Sequence, residues 1–76
     1  MTEIILDAGL LGDQGEAELV SWVVKDGEIV KKGQIVAEIE TGKAVLEVPA
    51  PADGVLRIST ALREVVETGS KIGIII

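Results

Sequence analysis

The sequence predicts an all-β domain in which two four-stranded antiparallel sheets pack face to face as a flattened barrel or sandwich. Apolar and polar residues alternate along residues 35–40 and again along residues 44–48, which is typical of strands with one buried face. A repeat relates the two halves of the chain, with a shift of 36 residues that carries Glu28 onto Glu64. Glycine, proline and Asp-Gly separate the remaining short apolar runs.

Each predicted strand is a short apolar run that turn-forming residues bound. In chain order the predicted strands cover residues 3–6, 17–24, 29–30, 35–40, 44–48, 55–58, 65–66 and 71–75. Residues 7–16 contain three glycines and are predicted to form a loop. Leu10 and Leu11 are the apolar residues of this loop, and we expect them to fold over the core. The alternative is that they form a contact surface for a partner.

The repeat carries Val20 onto Leu56 and Trp22 onto Ile58. Because the shift is even, residues that face inward in one half map onto residues that face inward in the other. Neither half can bury its apolar face alone, so we expect the two halves to pack about a pseudo-twofold axis.

Residues 59–69 have the spacing of a short helix when they are taken alone. The repeat argues against a helix, because the equivalent part of the first half contains the turn dipeptide Asp26-Gly27. We therefore predict a turn or a single helical turn at residues 61–63, followed by a short strand at Val65-Val66.

The hairpin formed by the two alternating segments places Lys43 at its outermost point. A two-residue loop favours a primed turn, and glycine at the first central position, here Gly42, predicts type II′. This loop puts the apolar pairs on one face and sets Glu38 opposite Glu47 on the exposed face, a like-charge pair with a small cost. By the pseudo-twofold symmetry, the two chain termini are expected opposite this tip.

Composition excludes several classes of function. The chain has no cysteine and no histidine, which removes the groups that most metal sites and nucleophilic triads need. A formal charge of −6 and a single aromatic residue, Trp22, argue against binding to nucleic acid or to an anionic membrane. No apolar run is long enough to span a bilayer, and the first residues lack the basic and apolar regions of a signal peptide.

The segment Glu40-Thr41-Gly42-Lys43-Ala44 resembles the attachment motif of lipoyl domains, which is usually written Glu-Thr-Asp-Lys-Ala. Residues 24–30, 33–34 and 47–51, together with Gly54, stand as they do in the lipoyl domains of 2-oxoacid dehydrogenase acyltransferases. The resemblance covers essentially the whole chain. It implies the lipoyl-domain hammerhead, with internal twofold symmetry, as a single carrier domain over residues 1–76.

By position, the resemblance implies that Lys43 carries lipoic acid in amide linkage. It also implies that Glu40, Thr41, Gly42 and Ala44 flank the lysine as recognition residues. In such domains the lipoyl-lysine is a swinging arm, and the domain performs no catalysis itself. The implied partners are a lipoate ligase or lipoyl transferase, a thiamine-diphosphate 2-oxoacid decarboxylase, the acyltransferase core and a dihydrolipoyl dehydrogenase.

The resemblance also implies the setting of the domain. We expect it to be monomeric when isolated, and to lie in the bacterial cytoplasm or in the mitochondrial matrix. The chain ends at Ile76 inside an apolar strand, so we expect a linker and further domains to follow in the natural protein.

Gly42 departs from the motif, because it occupies the position at which the family usually has aspartate. We expect attachment to survive, since modification depends mainly on a lysine at the turn. The missing carboxylate bears on partner recognition, and glycine is expected to change the preferred dihedral angles of the turn.

Two other functions fit the same architecture. A biotin carrier domain has a similar fold, but those domains usually place methionine on both sides of the lysine, where this chain has Gly42 and Ala44. An unmodified interaction domain, like those of membrane-fusion proteins, usually has a long coiled coil inserted between the halves, and none is present. Glycine-cleavage H-protein also carries lipoate but is longer.

Overall fold

The computed structural model describes residues 1–76, and eight strands form two open, four-stranded antiparallel sheets. The strands are β1 (Thr2–Ile5), β2 (Glu16–Trp22), β3 (Ile29–Val30), β4 (Ile35–Glu40), β5 (Val45–Pro49), β6 (Gly54–Ile58), β7 (Val65–Glu67) and β8 (Lys71–Ile75). The strand order is β1-β8-β6-β3 in the first sheet and β5-β4-β2-β7 in the second. The predicted all-β sandwich is confirmed.

The strand orders show the pseudo-twofold symmetry. If four is added to each strand number, with β1 following β8, the order β1-β8-β6-β3 of the first sheet becomes the order β5-β4-β2-β7 of the second. Equivalent turns also use equivalent hydrogen bonds. The N–H of Gly33 donates to the carbonyl of Ala50 over 2.9 Å, and the N–H of Gly69 donates to the carbonyl of Leu6 over 2.7 Å. The two glycines have φ of 89° and 91°. The predicted repeat is therefore a repeat of structure.

Val20 is the point at which the structure departs from the predicted alignment. In β2, Leu19 pairs with Ile39 of β4, and Ser21 pairs with Glu38, the residue before Ile39. Val20 therefore has no partner in β4 and is the extra residue of a β-bulge. The pairing of β6 with β8 has no such shift. Leu56 is therefore equivalent to Leu19, which is fully buried. The predicted match of Val20 with Leu56 is wrong, because one inserted residue makes the local shift odd.

The inner faces of the two sheets enclose a core of 16 buried residues, all of them aliphatic. Trp22 packs against this core from its edge, and its indole Nε1 donates to the backbone carbonyl of Thr60 over 3.0 Å. Trp22 pairs with Ala37, and Ile58 pairs with Gly73, which confirms the predicted equivalence of Trp22 and Ile58. Trp22 therefore closes one edge of the core.

The segment predicted as a loop contains a short helix, α1 (Ala8–Leu11), and a 3-10 turn over Gly12–Gln14. The prediction of an irregular loop is wrong here because Asp7 caps the helix, and its Oδ1 accepts from the N–H of Leu10 over 3.0 Å. The expectation for the leucines is confirmed, since Leu11 is buried and Leu10 packs against the core. No helix of the protein is long and apolar enough to cross a membrane.

Residues 59–69 form a turn and a strand, as the repeat predicts. The turn lies at Leu62 and Arg63 and leads into β7. The carboxylate of Glu64 accepts from the N–H of Ala61 over 3.0 Å, as that of Glu28 accepts from the N–H of Lys25 in the first half. The internal repeat thus predicts this segment better than its own helical spacing does.

Candidate functional site

Lys43 lies at the tip of the hairpin that joins β4 to β5. The pairing of Glu40 with Val45 and of Glu38 with Glu47 confirms the predicted register. Because only Thr41 to Ala44 lie between the paired ends, the chain has no freedom to place Lys43 anywhere but at the end of the hairpin. The local alternation of apolar and polar residues therefore fixes the position of this lysine.

The turn itself is not the predicted type II′. A primed turn requires a positive φ at its first central residue, and neither Gly42 nor Lys43 has a positive φ. The hydroxyl of Thr41 replaces the usual backbone acceptor. It accepts from the N–H of Lys43 over 3.2 Å and from the N–H of Ala44 over 3.1 Å, while the N–H of Thr41 donates to the carbonyl of Ala44 over 2.9 Å. Such local bonds from threonine compete with standard turn geometry.

The amine of Lys43 has no partner within the protein. The side chain is exposed, and no carboxylate lies within 4.0 Å of Nζ. The three ion pairs of the protein are Arg57–Asp26, Arg63–Glu18 and Lys71–Glu3. The neighbours Gly42 and Ala44 are exposed and small, so they leave the amine open to solvent from both sides.

The Lys43 tip has no counterpart within the chain. In the first sheet Thr2 pairs with Ile75, and this pair stands where Leu46 pairs with Ile39 in the second sheet. The pseudo-twofold axis therefore carries the tip onto the two chain termini rather than onto a second turn. This agrees with the predicted relation between the tip and the termini, and it makes Lys43 unique among the lysines of the protein.

A shallow groove with a volume of about 250 Å³ opens beside the tip. It is lined by Gln14, Glu16, Ala17, Glu18, Glu40, Thr41, Gly42 and Val65. Three of these residues carry carboxylates, and only Glu18 has an ion-pair partner, Arg63 at 3.6 Å. The surface beside the tip is thus acidic.

The structure brings most of the predicted flanking residues to this groove. Glu40, Thr41 and Gly42 line it, whereas Ala44 does not. The residues from β2 and β7 were not predicted, because no local pattern shows that β2 pairs with β4. Their only sequence signal is the alternation of glutamates in β2, which places Glu16 and Glu18 on the outer face.

Eight antiparallel strands form two symmetric sheets, and the hairpin that joins the two halves presents one exposed lysine, Lys43. The family model for biotin and lipoyl attachment, described as "Biotin-requiring enzyme", matches residues 7–75. The chain is similar over its full length to the solved lipoyl domain of the 2-oxoglutarate dehydrogenase complex from Azotobacter vinelandii, with 30% identity, a TM-score of 0.77 and 96% of that chain covered.

Two curated relatives are acyltransferases. The succinyltransferase component of the 2-oxoglutarate dehydrogenase complex of Cupriavidus necator is 56% identical over 43 residues, which are 57% of this chain and 10% of that protein. The lipoamide acyltransferase component of the branched-chain alpha-keto acid dehydrogenase complex of Pseudomonas putida is 41% identical over 58 residues, which are 75% of this chain and 14% of that protein. The chain thus spans only a small part of these relatives.

The chain belongs to the biotinyl and lipoyl attachment family and, within it, to the lipoyl domains. It is similar in particular to the lipoyl domains of acyltransferase components. Such a domain is a carrier and is not itself catalytic.

Proposed function

We propose that Lys43 holds lipoic acid in amide linkage and presents it to the enzymes of a 2-oxoacid dehydrogenase complex. The observation that supports this proposal is the exposed, unpaired amine of Lys43 on the one hairpin that joins the two halves. An amide requires only a primary amine that a modifying enzyme can reach, and the tip supplies one. Glu40 and Gly42, beside the groove, and Ala44 are the exposed residues that this enzyme would contact first.

The attachment step uses Lys43 Nζ as the nucleophile. A lipoate ligase or a lipoyl transferase must bring lipoic acid as an activated acyl derivative, because an exposed lysine amine is a weak nucleophile towards a free carboxylate. The neutral amine forms the amide bond with the acyl carbon while the activating group leaves, and the proton released from Nζ passes to solvent. The domain contributes the position of the amine and no acid or base.

Bound lipoic acid supplies a cyclic disulfide that carries acyl groups and reducing equivalents. We propose that the tip brings this arm in turn to a thiamine-diphosphate 2-oxoacid decarboxylase, to the acyltransferase core and to a dihydrolipoyl dehydrogenase. A rigid sandwich suits this role, because the core holds the hairpin while the arm beyond Nζ remains free. We further propose that residues 1–76 act as one monomeric domain, in the bacterial cytoplasm or in the mitochondrial matrix.

Mass spectrometry tests the attachment. The chain is incubated with lipoate and a competent lipoate ligase, and we expect the mass gain of one lipoyl group on the wild type and on Lys32→Ala. We expect no gain on Lys43→Ala or Lys43→Arg. Lys32 is the matched control, because it is also an exposed lysine in a turn between two strands. A gain that persists in Lys43→Arg would refute Lys43 as the site.

A parallel incubation with biotin and a biotin ligase separates the two cofactors of the family. Biotinylation of Lys43 without lipoylation would identify the chain as a biotin carrier domain. If neither ligase modifies the wild type, the chain is an unmodified interaction domain and the carrier proposal is wrong.

The choice of 2-oxoacid is tested by reductive acylation. Relatives of this chain belong to complexes for 2-oxoglutarate, pyruvate and branched-chain alpha-keto acids. The lipoylated chain is offered to the decarboxylase of each complex with its own 2-oxoacid, and the rates of acylation are compared. We expect one decarboxylase to acylate it much faster than the other two, and failure of all three would contradict a role in these complexes.

A further inference from the structure

We infer that Thr41 is a positioning residue for modification of Lys43, which acts by holding the turn rather than by contacting a partner. This inference rests on the proposed lipoylation and names a residue that controls it. The hydroxyl of Thr41 makes three hydrogen bonds within the turn. Two are accepted from the N–H groups of Lys43 and Ala44, and one is donated to the carbonyl of Ala44 over 3.2 Å.

These three bonds use the full hydrogen-bonding capacity of the hydroxyl. A threonine hydroxyl has one proton to donate and two lone pairs that accept. Thr41 therefore has no hydrogen bond left for an approaching enzyme. It is also half-buried, whereas its neighbours Glu40 and Gly42 are exposed. Glu40 and Gly42 are thus open to solvent, whereas the hydroxyl of Thr41 is bonded within its own turn.

No backbone bond can take over this role. The N–H groups of Lys43 and Ala44 have no backbone acceptor, and the only backbone bond across the turn is that from the N–H of Thr41 to the carbonyl of Ala44. Neither Gly42 nor Lys43 adopts the positive φ that would allow a primed turn. The conformation that presents Lys43 is therefore closed on one side by a single hydroxyl group.

Removal of that hydroxyl is expected to loosen the tip and leave the sandwich folded. The tip is exposed, so water can solvate the freed N–H groups, and the register of β4 with β5 depends on the core pairs behind the tip. In the variant, a smaller fraction of the molecules has the turn conformation that the Thr41 hydroxyl holds in the wild type. A ligase that binds only this conformation would therefore find fewer molecules ready to bind. The apparent affinity falls in proportion to that population, while the rate of the bound complex stays the same.

The test compares Thr41→Val, Thr41→Ser and Thr68→Val in the 76-residue chain. Valine keeps the shape of threonine without the hydroxyl, and serine keeps the hydroxyl without the methyl group. Thr68→Val makes the same chemical change in another exposed turn, where the hydroxyl donates to the carbonyl of Gly15 over 3.5 Å. The initial rate of lipoylation by a lipoate ligase is measured against chain concentration, and the amide exchange of Lys43 and Ala44 is measured by NMR.

We expect Thr41→Val to raise the KM of the ligase for the chain by roughly tenfold with kcat unchanged, since a lost set of local hydrogen bonds changes populations by about this factor. The amides of Lys43 and Ala44 should exchange faster in the same variant, while the midpoint of thermal unfolding stays near that of Thr68→Val. Thr41→Ser and Thr68→Val should keep the wild-type KM.

Other results would overturn the inference. Wild-type kinetics in Thr41→Val would show that the hydroxyl does not matter, and a loss in Thr41→Ser equal to that in Thr41→Val would show that the methyl group is what the ligase contacts. A fall in kcat alone would place Thr41 in the reaction itself. If the wild type accepts no lipoyl group, the proposed function is wrong, but the role of Thr41 in the turn can still be tested by amide exchange. Unchanged amide exchange in Thr41→Val would refute that role.

Discussion

Gly27 and Arg63 occupy equivalent positions in the two halves of the protein, and both have left-handed backbones, with φ of 88° and 76°. Each donates its N–H to the carbonyl of a buried leucine on the sheet into which its turn leads, Gly27 to Leu56 over 2.7 Å and Arg63 to Leu19 over 2.8 Å. Arg63 is the only residue other than glycine with a positive φ. The symmetric fold thus imposes on Arg63 a conformation that suits glycine.

The strain at Arg63 predicts the effect of a substitution. Arg63→Gly should have a free energy of unfolding about 0.5–1 kcal/mol higher than Arg63→Ala, because left-handed strain of about 1–2 kcal/mol exceeds the extra chain entropy of glycine. Both variants lose the exposed ion pair with Glu18, so this comparison isolates the backbone. Urea unfolding followed by the fluorescence of Trp22 measures the difference, and equal stabilities would show that the turn relaxes around a side chain.

Gly73 makes room for neighbouring strands and for the ring of Trp22. A Cβ at this position would lie 2.8 Å from the carbonyl oxygen of Arg57 and 3.6 Å from Cη2 of Trp22. We expect Gly73→Ala to lower the free energy of unfolding by about 1–3 kcal/mol, as overpacking does in other cores. Gly42→Ala is the control, because a Cβ there meets nothing within 4 Å and φ is not positive. That variant should be as stable as the wild type, and similar losses in both would contradict the packing argument.

Glu38 and Glu47 face each other on the outer side of the hairpin, and neither forms an ion pair. Glu47→Lys should raise the free energy of unfolding by about 0.2–1 kcal/mol, because it replaces a like-charge pair by an opposite-charge pair. Urea unfolding at low and high salt measures the gain, which should shrink as salt screens the pair. The double variant Glu38→Lys/Glu47→Lys again has a like-charge pair, so it should lose the gain in stability. If the double variant keeps the gain, the cross-strand pair is not the source of the extra stability.

Gly42 is open to the aspartate that the resemblance predicts at its position. Because φ is not positive and a Cβ meets open space, we expect Gly42→Asp to fold and to be lipoylated to the same extent as the wild type. It would place a fourth carboxylate beside the acidic groove. The KM for reductive acylation by the cognate decarboxylase should therefore depend more steeply on ionic strength. Identical salt dependence in the two chains would show that the groove does not contribute to this encounter.

Much of the fold follows from patterns that neighbouring residues carry. The strands Ile29–Val30, Ile35–Glu40 and Lys71–Ile75 have the predicted bounds, and the others differ by one or two residues at their ends. The repeat also predicts β7 correctly against its own helical spacing, because a turn with Asp26-Gly27 in one half constrains its equivalent in the other. These features are local, or they repeat locally, so the order of residues is sufficient to predict them.

The predictions that fail depend on contacts between distant residues. The bulge at Val20 arises where β2 pairs with β4, and nothing in the sequence of β2 marks an inserted residue. The helix after Asp7 has a capping residue but is too short for periodicity to predict it. At the tip, glycine suggests a primed turn, but the hydroxyl of Thr41 satisfies the backbone by another route.

The placement of Lys43 alone on a tight hairpin between two similar halves can be predicted from the amino-acid sequence, since alternation sets the register and the register leaves one position for the tip. The surroundings of that lysine required the folded chain. Strand pairing brings Glu16 and Glu18 of β2 next to Glu40 of β4 and forms the acidic groove. A side-chain hydroxyl, rather than glycine, sets the turn. The acidic groove and the turn conformation both depend on contacts between side chains and backbone in the folded chain, and the pattern of a single sequence does not specify those contacts.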